Sequence, residues 1–191
     1  MTSTLIQKSL WLFIGLLLTA TAVAQPARII LLRHAEKPAN ESDIHLSERG
    51  QQRAHALAGW ATNSPAWGTN DQPSAVFACK PTTKARSLRP IETITPLAER
   101  LKLNVQTPYP AKDPSALAQL ILKDPALKGK TVIICWARDE LPELAGCFGV
   151  KSGPVKWGKN VFDRFWLITF SGASPELKDR PQRLLADDAS R

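Results

Sequence analysis

Four apolar residues, Ile29-Ile30-Leu31-Leu32, run directly into Arg33-His34-Ala35-Glu36-Lys37. Such a run is too short for a helix and lacks alternation, so it reads as a strand buried on both faces of a parallel sheet, its carboxyl end opening into a polar turn. In open α/β sheets ligands bind beyond that end. A histidine there presents a ring nitrogen as a nucleophile, and the arginine before it a planar fork of donors matched to phosphate oxygens. The pair points to phosphoryl chemistry. An Arg-His pair exposed merely as surface polarity is the plain alternative, and the rest of the chain decides between them.

Residues 1–24 carry one cation, Lys8, an apolar stretch from Leu10 to Leu18 and the small-residue run Ala22-Val23-Ala24. This is the layout of a secretory signal peptide, cleaved after Ala24. The apolar stretch is about half of what a spanning helix needs, so contact with a membrane is expected only through this leader. No cysteine follows the cleavage site to carry a lipid. The expected product is secreted, or periplasmic in a two-membrane bacterium. Residues 25–191 then form a single domain with a substantial core.

The chain has a formal net charge of +8. Its Lys and Arg are scattered, with no basic stripe and no stacking aromatics, which argues against nucleic acid and for a field that draws small anionic substrates. Cys79, Cys135 and Cys147 have no zinc-ligand spacing, so neither metal nor cofactor is expected. An oxidising compartment permits one disulfide among the three.

Ser47 caps a helix to about Ala61, Thr62 to Ser74 is a loop, and Ala75–Cys79 is a strand. That strand leads into Lys80, Lys84 and Arg86, three cations at the edge where His34 emerges. A helix follows from Ser87–Pro90 to about Lys102, with Pro96 predicting a kink or a later start. A short strand spans 103–106, and Asp113-Pro114 caps a helix to about Leu122. Residues 131–136 form the cleanest strand after the first, Glu140 to Phe148 a helix ended by Gly149, and 165–170 the last strand. The tail from Ser171 is expected to be loosely held. The alternation specifies a three-layer α/β sandwich, its sheet mostly parallel and covered by helices on both faces.

Leu31-Leu32-Arg33-His34-Ala35-Glu36 resembles the signature of the histidine phosphatase superfamily, the phosphoglycerate-mutase-like fold, with Ala35 where glycine is commoner. Leu46-Ser47-Glu48-Arg49-Gly50-Gln51-Gln52-Arg53-Ala54 is similar to that family's first helix start. Arg89-Pro90-Ile91-Glu92-Thr93-Ile94-Thr95-Pro96-Leu97-Ala98 is similar to its second. The resemblance, closest to a secreted bacterial branch, implies that His34 attacks phosphorus to form a phosphohistidine while Arg33 and Arg89 clamp the phosphoryl oxygens. Small phosphorylated compounds are the implied substrates.

An acid must protonate the leaving alcohol and later deprotonate the water. Asp113, Asp139 and Glu140 are the candidates, each following a strand, while Glu36 reads as structural. The family also implies a second histidine after the fourth core strand, at Ala137 or, one residue on, Arg138. Neither is histidine, and Arg138 is the residue expected to supply the missing phosphate donor. His45 and His55 read as surface residues. The chain is therefore read as a phosphohydrolase, with a non-catalytic phosphate-binding module on the same fold as the alternative and a mutase as a weaker third.

Overall fold

The run at 29–32 lies in β1 (Arg28–Arg33), where Ile29 to Leu32 are fully inaccessible to solvent in a computed structural model of the chain. The structure describes residues 25–40, 42–63, 72–154, 156–172 and 174–188. The expected leader, 1–24, and most of the expected loop, at 64–71, lie outside the described residues. No helix among the described residues is long and apolar enough to cross a membrane.

The remaining elements are α1 (Glu48–Asn63), β2 (Ala75–Ala78), α2 (Arg89–Leu101), β3 (Val105–Gln106), α3 (Pro114–Lys123), β4 (Thr131–Trp136), α4 (Leu141–Cys147), β5 (Arg164–Thr169) and β6 (Glu176–Pro181). The sheet order is β3-β2-β4-β1-β5-β6. Pairing is parallel from β3 through β1 and antiparallel from β1 to β5 and from β5 to β6. Only β5 runs against the others, so the mostly parallel expectation is met.

The two-residue period of β1 divides the core. Ile30 and Leu32 pack with Ile133, Cys135, Leu57, Ile94 and Leu97 beneath α1 and α2. Ile29 and Leu31 pack with Ile134, Trp136, Leu117, Ile121 and Leu144 beneath α3 and α4. Burial stabilises each of the four β1 side chains by about 1.5–3 kcal/mol. The central strand is thus held from both faces, and whatever follows it starts from a fixed point.

Three expectations need correction. The tail is not loose: β6 adds an edge strand to β5, and the carboxylates of Asp187 and Asp188 bind Arg49 and Arg53 of α1. Its charged sequence hid a strand that exposes one face and one edge to water. The later start of α2 does not occur, because the helix begins at Arg89 and runs through Pro96. Asp113 stands at the N-cap of α3 but makes no side-chain cap bond. Ser47, by contrast, caps α1 as expected, its Oγ accepting the Gly50 N–H at 3.1 Å.

Candidate active site

Beyond the carboxyl ends of β1, β2 and β4 lies a cavity of about 670 Å³ bordered by Arg33, His34, Arg89, Ala137, Arg138 and Asp139. The three groups expected to converge, Arg33, His34 and Arg89, do meet there. The loop after β1 is positioned from α2 and α1. Thr93, buried in α2, donates to the Arg89 carbonyl at 2.7 Å and accepts the Ala35 N–H at 2.9 Å. The Glu36 carbonyl accepts both Ser47 N–H (3.0 Å) and Ser47 Oγ (3.2 Å), and a Cβ at Gly50 would be driven into that same oxygen. The glycine at 50 is therefore a requirement of close approach. Ala35 needs no such freedom, since among the described residues the positive-φ ones other than glycine are Lys102 and Arg183.

His34 Nδ1 lies 2.7 Å from the Ala35 carbonyl, which can only accept. The proton is thereby placed on Nδ1 and the lone pair left on Nε2. Burial, opposed by that bond and aided by the charges of Arg33, Arg89 and Lys37, brings the imidazole down to about 4. His34 is neutral at physiological pH, the form a nucleophile requires.

The guanidinium groups are held by the protein as well as facing the cavity. Arg33 Nη1 donates to the carbonyls of Gly158 (3.1 Å), Lys159 (2.7 Å) and Val161 (3.0 Å), and its Cζ lies 3.8 Å from the Phe162 ring centroid. Burial and then the neighbouring Arg138 lower it to about 10, so it remains a cation at neutral pH. Arg89 donates through Nε to the His45 carbonyl at 3.0 Å and through Nη2 to that of Asp43. The carbonyls thus fix both side chains, while Nη2 of Arg33 and Nη1 of Arg89 take no hydrogen bond among the described residues.

The acid candidates separate. Asp113 does not border this cavity; it borders a different hollow beside Lys112 and Ser115. Glu140 is buried under α4's first turn, paired with Lys112 Nζ at 2.5 Å, and is likewise absent from the cavity wall. Following a strand in sequence does not aim a side chain, and both expectations are withdrawn. Asp139 does border the cavity, with Arg138 donating to it through Nε (2.7 Å) and Nη2 (2.9 Å). That grip holds its carboxyl below the ordinary range. Glu36 also borders the cavity, but Arg53 and Arg49 bind its carboxylate, the structural role expected.

Of the expected cations after β2, Lys80 reaches the cavity, while Lys84 and Arg86 do not border it. Sequence reasoning missed Lys159 and Phe162, which lie on a loop without a motif. The three cysteines are free thiols, and burial pushes Cys79, at the cavity wall, up to about 12. Among the described residues no group of three or more His, Cys, Asp or Glu is placed to hold a metal ion.

No family model matches the sequence, and no curated protein matches it. Solved structures do match its shape. The mycobacterial glucosyl-3-phosphoglycerate phosphatase aligns over 84% of this chain and 100% of its own, with TM-score 0.56 and 15% identity. The protein histidine phosphatase SixA, complexed with tungstate, aligns over 81% of this chain and 97% of its own, with TM-score 0.57 and 10% identity. The fold is the phosphoglycerate-mutase-like one that these structures share. Phosphoglycerate mutase from Bacillus anthracis shares it too, with TM-score 0.53 and 12% identity over 83% of this chain and 94% of its own. At these identities the likeness is one of fold, and what the site does rests on its own residues.

Proposed function

We propose that this protein is a metal-independent phosphohydrolase that removes a phosphoryl group from a small anionic phosphate compound through a phosphohistidine on His34. The observation that carries the reading is the Nδ1 contact of His34 to the Ala35 carbonyl, which aims a neutral Nε2 lone pair from the end of β1. That lone pair attacks phosphorus, and the bond to the leaving oxygen breaks. Arg33 Nη2 and Arg89 Nη1 draw the charge of the phosphoryl oxygens as it redistributes. Water then attacks the phosphohistidine, and the electron pair of the phosphorus–nitrogen bond returns to Nε2. Phosphomonoesters such as sugar phosphates are the broadest substrate class this chemistry admits. The names of the structural neighbours, two phosphatases and a mutase, describe phosphate chemistry and support the reading. With the leader expected at 1–24, the work would be done outside the cytoplasm.

One observation favours a second reading, a module that holds phosphate without turning it over. Ala137 offers no donor, and the donors of Arg138 nearest to hand are engaged by Asp139. Hydrolysis of p-nitrophenyl phosphate in the presence of a chelator separates the two. The phosphohydrolase reading expects phosphate release and an acid-labile phosphoenzyme, both abolished by His34→Ala. Release undiminished in that variant overturns it, and saturable vanadate binding without turnover supports the module.

A further inference from the structure

The cavity holds more positive charge than one phosphoryl group uses. Among the described residues six cations border it, Arg33, Arg89, Arg138, Lys37, Lys80 and Lys159, against two carboxylates, Glu36 and Asp139. Both carboxylates are already matched, Glu36 by Arg53 and Arg49 and Asp139 by the Nε–Nη2 edge of Arg138. Arg33 and Arg89 answer the dianionic phosphoryl group. Lys80 and Lys159, which make no side-chain hydrogen bond or ion pair among the described residues, have no role in that transfer. A field of this kind favours a ligand whose other half is anionic as well. The volume, about 670 Å³, is that of a pocket for a whole small molecule.

The same wall is poor in proton donors. Both its carboxylates accept hydrogen bonds from guanidinium partners, and the one proton of His34 sits on Nδ1, donated to the Ala35 carbonyl. An alkoxide leaving group needs a proton in the transition state, and a positioned acid there accelerates transfer by about 10²–10⁴. A phosphate departing from an anhydride needs none, since its own second pKa is about 6.

Resting on the phosphohistidine reading above, we infer that the preferred substrate is a condensed phosphate, a phosphoanhydride whose terminal phosphoryl group passes to His34 while the remaining phosphate departs toward Lys80 and Lys159. His34 Nε2 forms the bond to the terminal phosphorus, and the bond from that phosphorus to the bridging oxygen breaks. The bridging oxygen keeps the electron pair and leaves as an anionic phosphate without being protonated. Water then adds to the phosphohistidine phosphorus, the phosphorus–nitrogen pair returns to Nε2, and the proton surplus to the released phosphate goes to solvent. Inorganic pyrophosphate and nucleoside diphosphates share this chemistry.

The test measures kcat/KM on the full chain for pyrophosphate, ADP, glycerol phosphate, acetyl phosphate and p-nitrophenyl phosphate. The expectation is that pyrophosphate or ADP exceeds glycerol phosphate by at least a hundredfold. The double variant Lys80→Ala, Lys159→Ala should lose at least tenfold more on the anhydride than on p-nitrophenyl phosphate. Whichever of pyrophosphate and ADP is faster identifies the source. If p-nitrophenyl phosphate is turned over through His34 but anhydrides are no better than glycerol phosphate, the inference fails while the phosphohydrolase reading stands. Acetyl phosphate faster than both anhydrides, or lysine substitution that lowers all substrates equally, also overturns it. No turnover of any substrate sinks both readings.

Discussion

Arg53 binds the carboxylate of Glu36 from inside the protein, through Nη2 at 2.7 Å and Nε at 3.0 and 3.1 Å, three residues after Gly50 has pressed helix α1 against the Glu36 carbonyl. The other side of the same guanidinium takes Asp188, through Nη1 at 2.8 Å and Nη2 at 2.7 Å. Asp188 also accepts the N–H groups of Leu184 and Leu185. One buried cation thus ties the C-terminal segment to the loop that carries His34. Arg53→Ala would strand two carboxylates beneath the surface, and breaking a buried pair in this way costs about 3–5 kcal/mol. Thermal unfolding should show a loss of this size, with Arg53→Met, which restores packing volume but not charge, recovering little of it.

The clasp has an acid limit. Burial pushes Asp188 up, but the bonds from Arg53 and from the two backbone N–H groups prevail and hold it down to about 2. A carboxyl lowered in the folded state adds stability that is complete above its unfolded value, near 3.9, and is lost as pH falls toward 2. Melting temperature followed from pH 5 to pH 2 should therefore fall more steeply for the parent than for Asp188→Asn. Parallel curves would remove Asp188 from this role.

His34 gives the second pH dependence, with opposite chemistry and the same sign. Its lone pair is free above about 4, so kcat/KM should stay level down to pH 5 and fall below it, instead of bending near the ordinary 6.5. Arg89 is one of the charges that lower it. Arg89→Met should move the acid limb upward by a measurable fraction of a unit, in addition to weakening phosphate binding. An acid limb at 6.5 in the parent would show that His34 is not the group that titrates.

Glu92 joins the loop at 43–46 to helix α2, accepting the Leu46 N–H at 2.9 Å and pairing with His45 Nδ1. The carbonyls of that same loop, at Asp43 and His45, hold Arg89. Glu92 is thus a positioning residue for a phosphate-facing side chain it does not touch. A hydrogen bond to a charged group contributes about 1.5–3 kcal/mol, so Glu92→Gln should raise KM on the order of tenfold while lowering kcat less. Equal loss in both parameters would argue for a change in the chemical step instead.

How much of this was legible in sequence follows from what each residue contacts. The strands β1 and β4 were plain because they are buried on both faces and their runs are continuous. The meeting of Arg33, His34 and Arg89 was legible too, because Thr93, Gly50 and Ser47, which hold the loop, sit inside the same three blocks. The strand β6 was not, since Glu176 to Pro181 lies at an edge and needs no apolar alternation. Nor was the cradle of Arg33, because carbonyls at 158, 159 and 161 carry no side-chain signature. Asp113 and Glu140 misled for a related reason: position after a strand says where the chain is, and the direction of a carboxylate depends on the turn that follows.

Ala137 tests whether the cavity lacks a group or has replaced one. It directly follows β4 at the cavity wall, in extended backbone (φ −72°, ψ 137°) that a larger side chain adopts without strain. Its neighbour Arg138 lies on the same wall with Nε and Nη2 engaged by Asp139, so it brings charge, and its direction is set by that carboxylate. An imidazole at 137 would add a donor where transition-state charge develops, and removing one such donor from a preorganised site costs about 10²–10³ in rate. Part of that is recovered only if the new ring reaches the phosphoryl oxygens. Ala137→His should therefore raise kcat on p-nitrophenyl phosphate by about tenfold or more, and Asp139→Asn, which frees Arg138, should give a smaller gain in the parent and none on top of the histidine. If Ala137→His leaves kcat unchanged while Asp139→Asn raises it, Arg138 is the donor this chain uses.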